Sequence, residues 1–314
     1  MKPGKASVAD EILQLKEQKQ IKILAHYYQR NEVQDLADYV GDSLALAREV
    51  IKCGAEKILF AGVHFMAETA KVINPSCKVL IPDIGAGCSL ADSCSPEAFR
   101  TFLASHPGHK VVSYINCSAE IKAMSDIICT SSNAEQIIRS IDPNQPIVFA
   151  PDRNLGRYLM VKTGRNMELW DGSCLVHEAF SIDKILSLYQ QYPDAHIVAH
   201  PEAEANLLKV AHFIGSTTAM IRYITGSSAK QFIVATEGGI MHSLSKQLKN
   251  KIIIPAPTLQ DNTCACSECA FMKMNTLEKI HACLVHEYPQ IQISENLRLK
   301  ALQPLLRMLE YSNN

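Results

Sequence analysis

Short apolar runs recur along the whole chain: IKILAHYY, KILFAGVHF and KVLIPD, then KVVSYIN, DIICTSS and PIVFAPD, then AHIVAHPE, HFIGSTT, QFIVATEGG and KIIIPAP. Helix-like stretches separate them. Strand-length runs alternating with helix-length ones predict parallel α/β units, because two parallel strands need a long crossover and a helix is its usual form. The runs are apolar at odd and even positions alike, as expected of strands covered by helices on both faces.

The rhythm repeats. Gly62 precedes Asp83 by the 21 positions that also separate Ser131 from Asp152 and Ser216 from Glu237. In each case an apolar strand opens into a small or polar turn, a helix follows, and the next strand ends in an acidic residue. YVGDSLALAREV reads as a helix added in the first copy only. The copies end in loops carrying cysteine: GAGCSLADSC, WDGSCLVHEAF and TCACSECAFMKMN. The expectation is three homologous three-layer α/β/α domains with parallel sheets around a pseudo-threefold axis, which would bring one cysteine from each to the centre. Proline, glycine and polar residues at HPGHK and QYPDAH set the boundaries at 1–105, 106–192 and 193–293. Residues 294–314 read as a closing helix interrupted by Pro304.

At 314 residues the chain exceeds what one core comfortably fills, and 47% hydrophobic with 20% charged residues is a globular balance. A formal net charge of −1 provides no field to gather nucleic acid or an anionic membrane. The N-terminal stretch is charged throughout, unlike a signal peptide, and no run approaches the length of a membrane span. Eleven cysteines without an export signal point to the reducing cytoplasm, where thiols stay free, bind metal or react.

Cys264, Cys266 and Cys269 are spaced C-x-C-x-x-C. A zinc ribbon would need a second pair, for which Cys283 and His281 are the nearby supply. Alternatively, Cys88, Cys174 and one member of the last group supply three thiolates from three loops, which suits a four-iron cluster with one iron left open. Cys53, Cys77, Cys117, Cys129 and Cys283 read as small core residues, whereas Cys94, six positions after Cys88, fits either role.

Ligands of parallel sheets bind outside the carboxyl ends of strands. His26 and Tyr28, Tyr114 and Asn116, and His200 and Glu202 stand at equivalent first-strand ends and so share one rim. Ser131 in TSSN and Thr217 in GSTT, with Ser43 after Gly41, begin helices whose backbone N–H groups suit phosphate or carboxylate. Helix capping explains the same residues structurally.

Eleven segments, HYY, GDSL, GCSLADSC, YIN, TSSN, APDRNLG, WDGSCLVHE, HPE, GSTT, VATEGG and CAFMKMN, occur in the order and context of the quinolinate synthases, so the chain resembles that family from about residue 20 to residue 310. The resemblance implies a [4Fe-4S] cluster held by Cys88, Cys174 and Cys269, with Cys264 and Cys266 in a loop that departs from the C-x-x-C-x-x-C of some members. It implies condensation of iminoaspartate with dihydroxyacetone phosphate to quinolinate, with loss of phosphate and two waters, in NAD biosynthesis. Substrate-binding positions are then His26, Ser43, Tyr114, Ile115, Asn116, Ser131, His200, Pro201, Glu202 and Thr217. Tyr28 closes over the substrate, and Glu202, His26, Tyr28 and Tyr114 carry the catalysis, with Glu202 as base. The implied partners are the two small-molecule substrates and an enzyme supplying iminoaspartate, with no nucleic acid or membrane. Rival readings are a cluster-dependent hydro-lyase on a small hydroxy-acid and a non-enzymatic redox-sensing iron-sulfur protein. The latter would need a partner-binding module such as a basic helix-turn-helix, which the sequence lacks.

Overall fold

The structure, a computed structural model, describes residues 7–248, 250–259 and 267–311. Cys264 and Cys266 lie outside the described residues. Three four-stranded sheets are present. The first holds β1 (Ile21–His26), β2 (Tyr39–Gly41), β3 (Lys57–Ala61) and β4 (Lys78–Leu80), ordered β2-β1-β3-β4. The second holds β5 (Lys110–Tyr114), β6 (Ile127–Cys129), β7 (Ile147–Ala150) and β8 (Glu168–Leu169), ordered β6-β5-β7-β8. The third holds β9 (His196–Ala199), β10 (Phe213–Ile214), β11 (Gln231–Ala235) and β12 (Ile252–Pro255), ordered β10-β9-β11-β12. Every pairing in them is parallel, and the three copies share one topology.

Strand register corrects the alignment drawn from the 21-residue spacing. Ala25 faces Ala61, Ser113 faces Ala150 and Ala199 faces Ala235 across the two central strands of each sheet. Two residues further on stand Val63, Asp152 and Glu237, so Asp83, which follows β4, is one strand too late to be their equivalent. The helix Ser43–Lys52 is likewise no addition: it follows β2 as Thr217–Gly226 follows β10. A three-residue strand in DYVGDS offers too little apolar sequence to be seen as one. With the register corrected, Cys88, Cys174 and Cys269 each lie beyond the fourth strand of a sheet.

A second repeated device ties each first strand to its edge neighbour. Asp38 accepts the Ile23 N–H at 2.8 Å and pairs with Lys22 at 3.4 Å. Asp126 accepts the Val111 N–H at 2.8 Å and pairs with Lys110 at 3.2 Å. In the third sheet His212 Nδ1 accepts the Ile197 N–H at 3.0 Å, and His196 takes the place of the lysine, its ring stacked on His212 with centroids 5.1 Å apart.

The chain divides into two compact units, residues 1–88 with 270–295, and residues 89–269 with 296–314. In the first, Ile12 from the helix Val8–Gln18 and Ile280 and Leu284 from the helix Leu277–His286 pack with Ile23, Leu59 and Leu80 of the sheet. Each such side chain contributes roughly 1.5–3 kcal/mol on burial, so the returning segment 270–295 is anchored by its own core residues. The second unit holds the other two sheets. Its C-terminal helix Glu295–Glu310 runs unbroken through Pro304, contrary to the expected interruption, and its Met308 carbonyl accepts Asn133 Nδ2 at 3.2 Å.

Burial, then the neighbouring His196, lower the His212 pKa from its ordinary 6.5. Neutral His212 therefore contributes stability that is complete above about pH 6.5 and is lost as the pH falls through the lower folded value. Asp194 and Lys230 line the same cavity, Tyr189 lies 5.8 Å from His212 ring to ring, and Tyr223 Oη lies 2.7 Å from His196 Nδ1. Installing the Lys–Asp pair of the other sheets, His196→Lys with His212→Asp, should shrink the drop in melting temperature between about pH 7.5 and pH 5. Thermal melts of both proteins across that range check it, and an unchanged drop would exclude the histidine pair as a source of acid sensitivity.

Candidate functional site

The rim of the second unit is built on a buried carboxylate. β9 runs apolar to Ala199, and the turn His200-Pro201-Glu202 then carries Glu202 into the interior, where it is 2% exposed. A carboxylate there must be paired or protonated. Tyr114, at the end of β5, donates its hydroxyl to Glu202 Oε1 at 2.5 Å. His177 Nδ1 lies 3.1 Å from Oε2, and His200 Nδ1 lies 3.6 Å from Oε1. Burial alone would push Glu202 up, but the positive charge available on His177 and then His200, with the hydrogen bonds from His177 and Tyr114, overrides it and holds the group at about 2.

His177 was not foreseen, although it stands three residues after Cys174, a C-x-x-H spacing that could have singled it out. Its Nδ1 is also 3.2 Å from Cys174 Sγ, and its Nε2 is 2.9 Å from Thr236 Oγ1 at the end of β11. The ligand atoms of Cys174, His177 and Glu202 lie within 4.8 Å of one another. Thiolate, imidazole and carboxylate together are a donor set that divalent cations accept.

The acidic ends of the third strands are also buried. Asp152 accepts the Leu155 N–H at 2.7 Å through Oδ1, while Oδ2 has no protein partner. Burial, then the Glu202 charge, push its pKa well up. Two carboxyls thus share one buried region and are driven in opposite directions. Glu237 accepts the Gly239 N–H at 2.6 Å and the Cys269 N–H at 3.0 Å, so the end of β11 fixes the backbone of Cys269.

Thr217 is buried in the first turn of Thr217–Gly226, whose cap Ser216 accepts the Ala219 N–H at 3.3 Å. Ser132 donates to Ser216 Oγ at 2.8 Å. Ser131 and Pro201 line a cavity of about 570 Å³ with Tyr158 and Arg222. Ile115 is buried, donating its N–H to the Cys129 carbonyl at 2.9 Å. Asn116 leaves its buried Oδ1 without a protein partner, the mark of a group that a ligand can satisfy.

In the first unit His26 ends β1, 4% exposed, and its Nδ1 accepts the Tyr28 N–H at 3.2 Å. The two rings meet edge to face with centroids 4.5 Å apart. Ser43 opens the helix Ser43–Lys52, capped by Asp42, whose Oδ1 accepts the Ala45 N–H at 3.0 Å.

Burial sorts the thiols. Cys77, Cys94, Cys117, Cys129 and Cys283 are buried. Burial raises the Cys77 thiol to about 11 and Cys283 to about 12, and pushes Cys94 and Cys129 up as well. Such thiols make poor ligands because the thiolate is the binding form. Cys88, Cys174 and Cys269 are half-buried, as is Cys53 at a helix end. The thiols beyond the fourth strands are therefore open to ligating an iron-sulfur group and Cys94 joins the core, whereas Cys53, expected in the core too, is not buried there.

The family described as quinolinate synthetase A protein matches residues 10–310. A quinolinate synthase from a Synechococcus species is 57% identical over 307 residues, covering 98% of this chain and 96% of that protein. The chain belongs to the quinolinate synthase family. Quinolinate synthases from Nostoc punctiforme, 58% identical over 301 residues, and Chloroherpeton thalassium, 57% over 303, cover 96% of the chain and 92% and 94% of their own lengths. As a quinolinate synthase by family, the chain is an enzyme of NAD biosynthesis.

Tyr114→Phe removes the hydroxyl that a buried, ionised Glu202 depends on. The variant should lose about 1–3 kcal/mol of stability at neutral pH. Urea unfolding of the two proteins measures it; an unchanged midpoint would mean that Glu202 does not rely on Tyr114.

Proposed function

We propose that this chain condenses iminoaspartate with dihydroxyacetone phosphate to quinolinate, releasing phosphate and two waters. Its [4Fe-4S] cluster is held by Cys88, Cys174 and Cys269, one from each of three repeats spanning 1–105, 106–192 and 193–293, with 294–314 as a closing segment. The observation that carries this reading is the buried Glu202, flanked by Tyr114, His177 and His200 and within ligand reach of Cys174. When bound, the cluster supplies a Lewis-acidic iron with an open position for a substrate oxygen.

The chain's own residues do the rest. Its imidazole neighbours and Tyr114 keep Glu202 in the carboxylate form, the form that can accept a proton. Tyr114 orients the carboxylate, and His200 adjoins the same oxygen. Ser43, Ser131 and Thr217 present hydroxyls to substrate carboxylates and phosphate, and the helix starts at Ser43 and Thr217 add backbone N–H groups. Ile115, Asn116 and Pro201 shape the same strand-end surface, His26 binds the substrate, and Tyr28 closes over it. No helix among the described residues is long and apolar enough to cross a membrane. The enzyme works in the cytoplasm and receives unstable iminoaspartate from a partner enzyme.

Protein purified without oxygen should be brown, with about four irons and four sulfides per chain. Cys269→Ser should abolish that content, while Cys264→Ser and Cys266→Ser retain it. A zinc-only protein, or a Cys266→Ser variant that alone loses iron, would displace the assignment. Incubation with both substrates should yield a pyridine dicarboxylate, which a hydro-lyase or a sensor would not make.

Glu202→Gln should keep the iron content and substrate binding while turnover falls roughly a hundred- to ten-thousand-fold. Turnover close to wild type would remove Glu202 as the base.

A further inference from the structure

The turn between β1 and the helix Asn31–Leu36 carries Tyr28, and its backbone is held from outside. Tyr27 donates its N–H to the Gly41 carbonyl at 3.2 Å, and Gln29 donates to the His26 carbonyl at 3.0 Å. Three successive carbonyls are taken by side chains. Gln34 Nε2 donates to Tyr27 O at 2.9 Å and to Gln29 O at 3.0 Å. The carbonyl between them, that of Tyr28, accepts Lys273 Nζ at 2.8 Å.

Lys273 comes from far along the chain, in the short helical turn Met272–Met274, and the attachment runs both ways. Arg30 Nε donates to the Lys273 carbonyl at 3.0 Å, and the fully buried Gln29 donates Nε2 to Met272 Sδ at 3.3 Å. Asn275, also fully buried, donates Nδ2 to the Gly62 carbonyl at 2.8 Å, so the turn is fixed to the end of β3 as well. All these residues belong to the first unit. Lys273 on the Tyr28 carbonyl and Arg30 on the Lys273 carbonyl are the charge-assisted contacts among these, and a charged donor roughly doubles a neutral hydrogen bond. Tyr27 to Arg30 lie beyond the sheet's last pairing, His26 with Gly41.

We infer that Lys273, assisted by Gln34, is a positioning residue that sets the Tyr28 ring for the reaction. The ammonium fixes the peptide plane after Tyr28, and that plane, with the N–H donated to His26 Nδ1, determines where the phenol points. The inference rests on Tyr28 acting on substrate, as proposed above.

A double-mutant cycle tests it. Lys273→Ala should lower kcat/KM about tenfold, the scale of one charge-assisted hydrogen bond, and speed hydrogen exchange over residues 26–30. Lys273→Arg, which keeps a charged donor, should recover most of both. In a Tyr28→Phe background the Lys273→Ala penalty should largely vanish, because the ring it positions has already lost its hydroxyl. Equal penalties in the two backgrounds would mean a general structural role and overturn the inference, as would unchanged exchange over 26–30. A fully active Tyr28→Phe enzyme would remove Tyr28 from the reaction and overturn the inference with it, even if Lys273→Ala still speeds exchange over 26–30.

Discussion

Parallel pairing gives every strand of a sheet the same polarity, so whatever the chain carries just past its strands collects on one rim. Each sheet here places its first strand centrally, between the short second strand and the third. His26, Tyr114 and His200 occupy one position in that scheme, and Tyr28, Asn116 and Glu202 another. Three copies of one topology therefore yield three rims of polar residues without any special packing to create them. What differs between copies is the side chain at each position, and that difference is where chemistry enters.

Glu202 illustrates the cost of such a placement. Desolvation of a carboxylate is expensive, and the site meets it with two imidazoles and a phenol. Asp152 lies in the same region with backbone hydrogen bonds but no cationic neighbour among its interactions, and burial together with the Glu202 charge drives it toward the neutral form. The same buried region thus pushes one carboxyl down and the other up.

The cysteines follow a related logic. Thiols inside the cores are raised by burial, which disfavours the thiolate, while those in loops beyond the edge strands retain access to solvent. Cys269 is further tied by its N–H to Glu237, the equivalent of Asp152 one sheet away. The first copy has Val63 at this position, and the acidic residues of the other two serve different purposes: Asp152 caps a helix and Glu237 anchors a cysteine loop.

Much of this was legible in the chain itself. Apolar runs of strand length carry their own record of burial on both faces, so the α/β class and the three copies could be read directly, as could the first-strand ends, because HYY, YIN and HPE interrupt apolar runs abruptly. Elements too short to have a period were not legible: β2 spans three residues, and its absence moved the first copy's alignment one strand late. Pro304 looked like a helix breaker, yet tertiary packing keeps the helix continuous. His177 gained its importance only when folding set it between Cys174 and Glu202, and Lys273 only when it met a carbonyl 245 positions earlier in the chain. Sequence alone determined the periodic elements and the residue types at their ends, since both are local properties. Which of those residues share a proton, lose their water or hold another in place depends on distances between segments remote in the chain, and only the tertiary structure decided them.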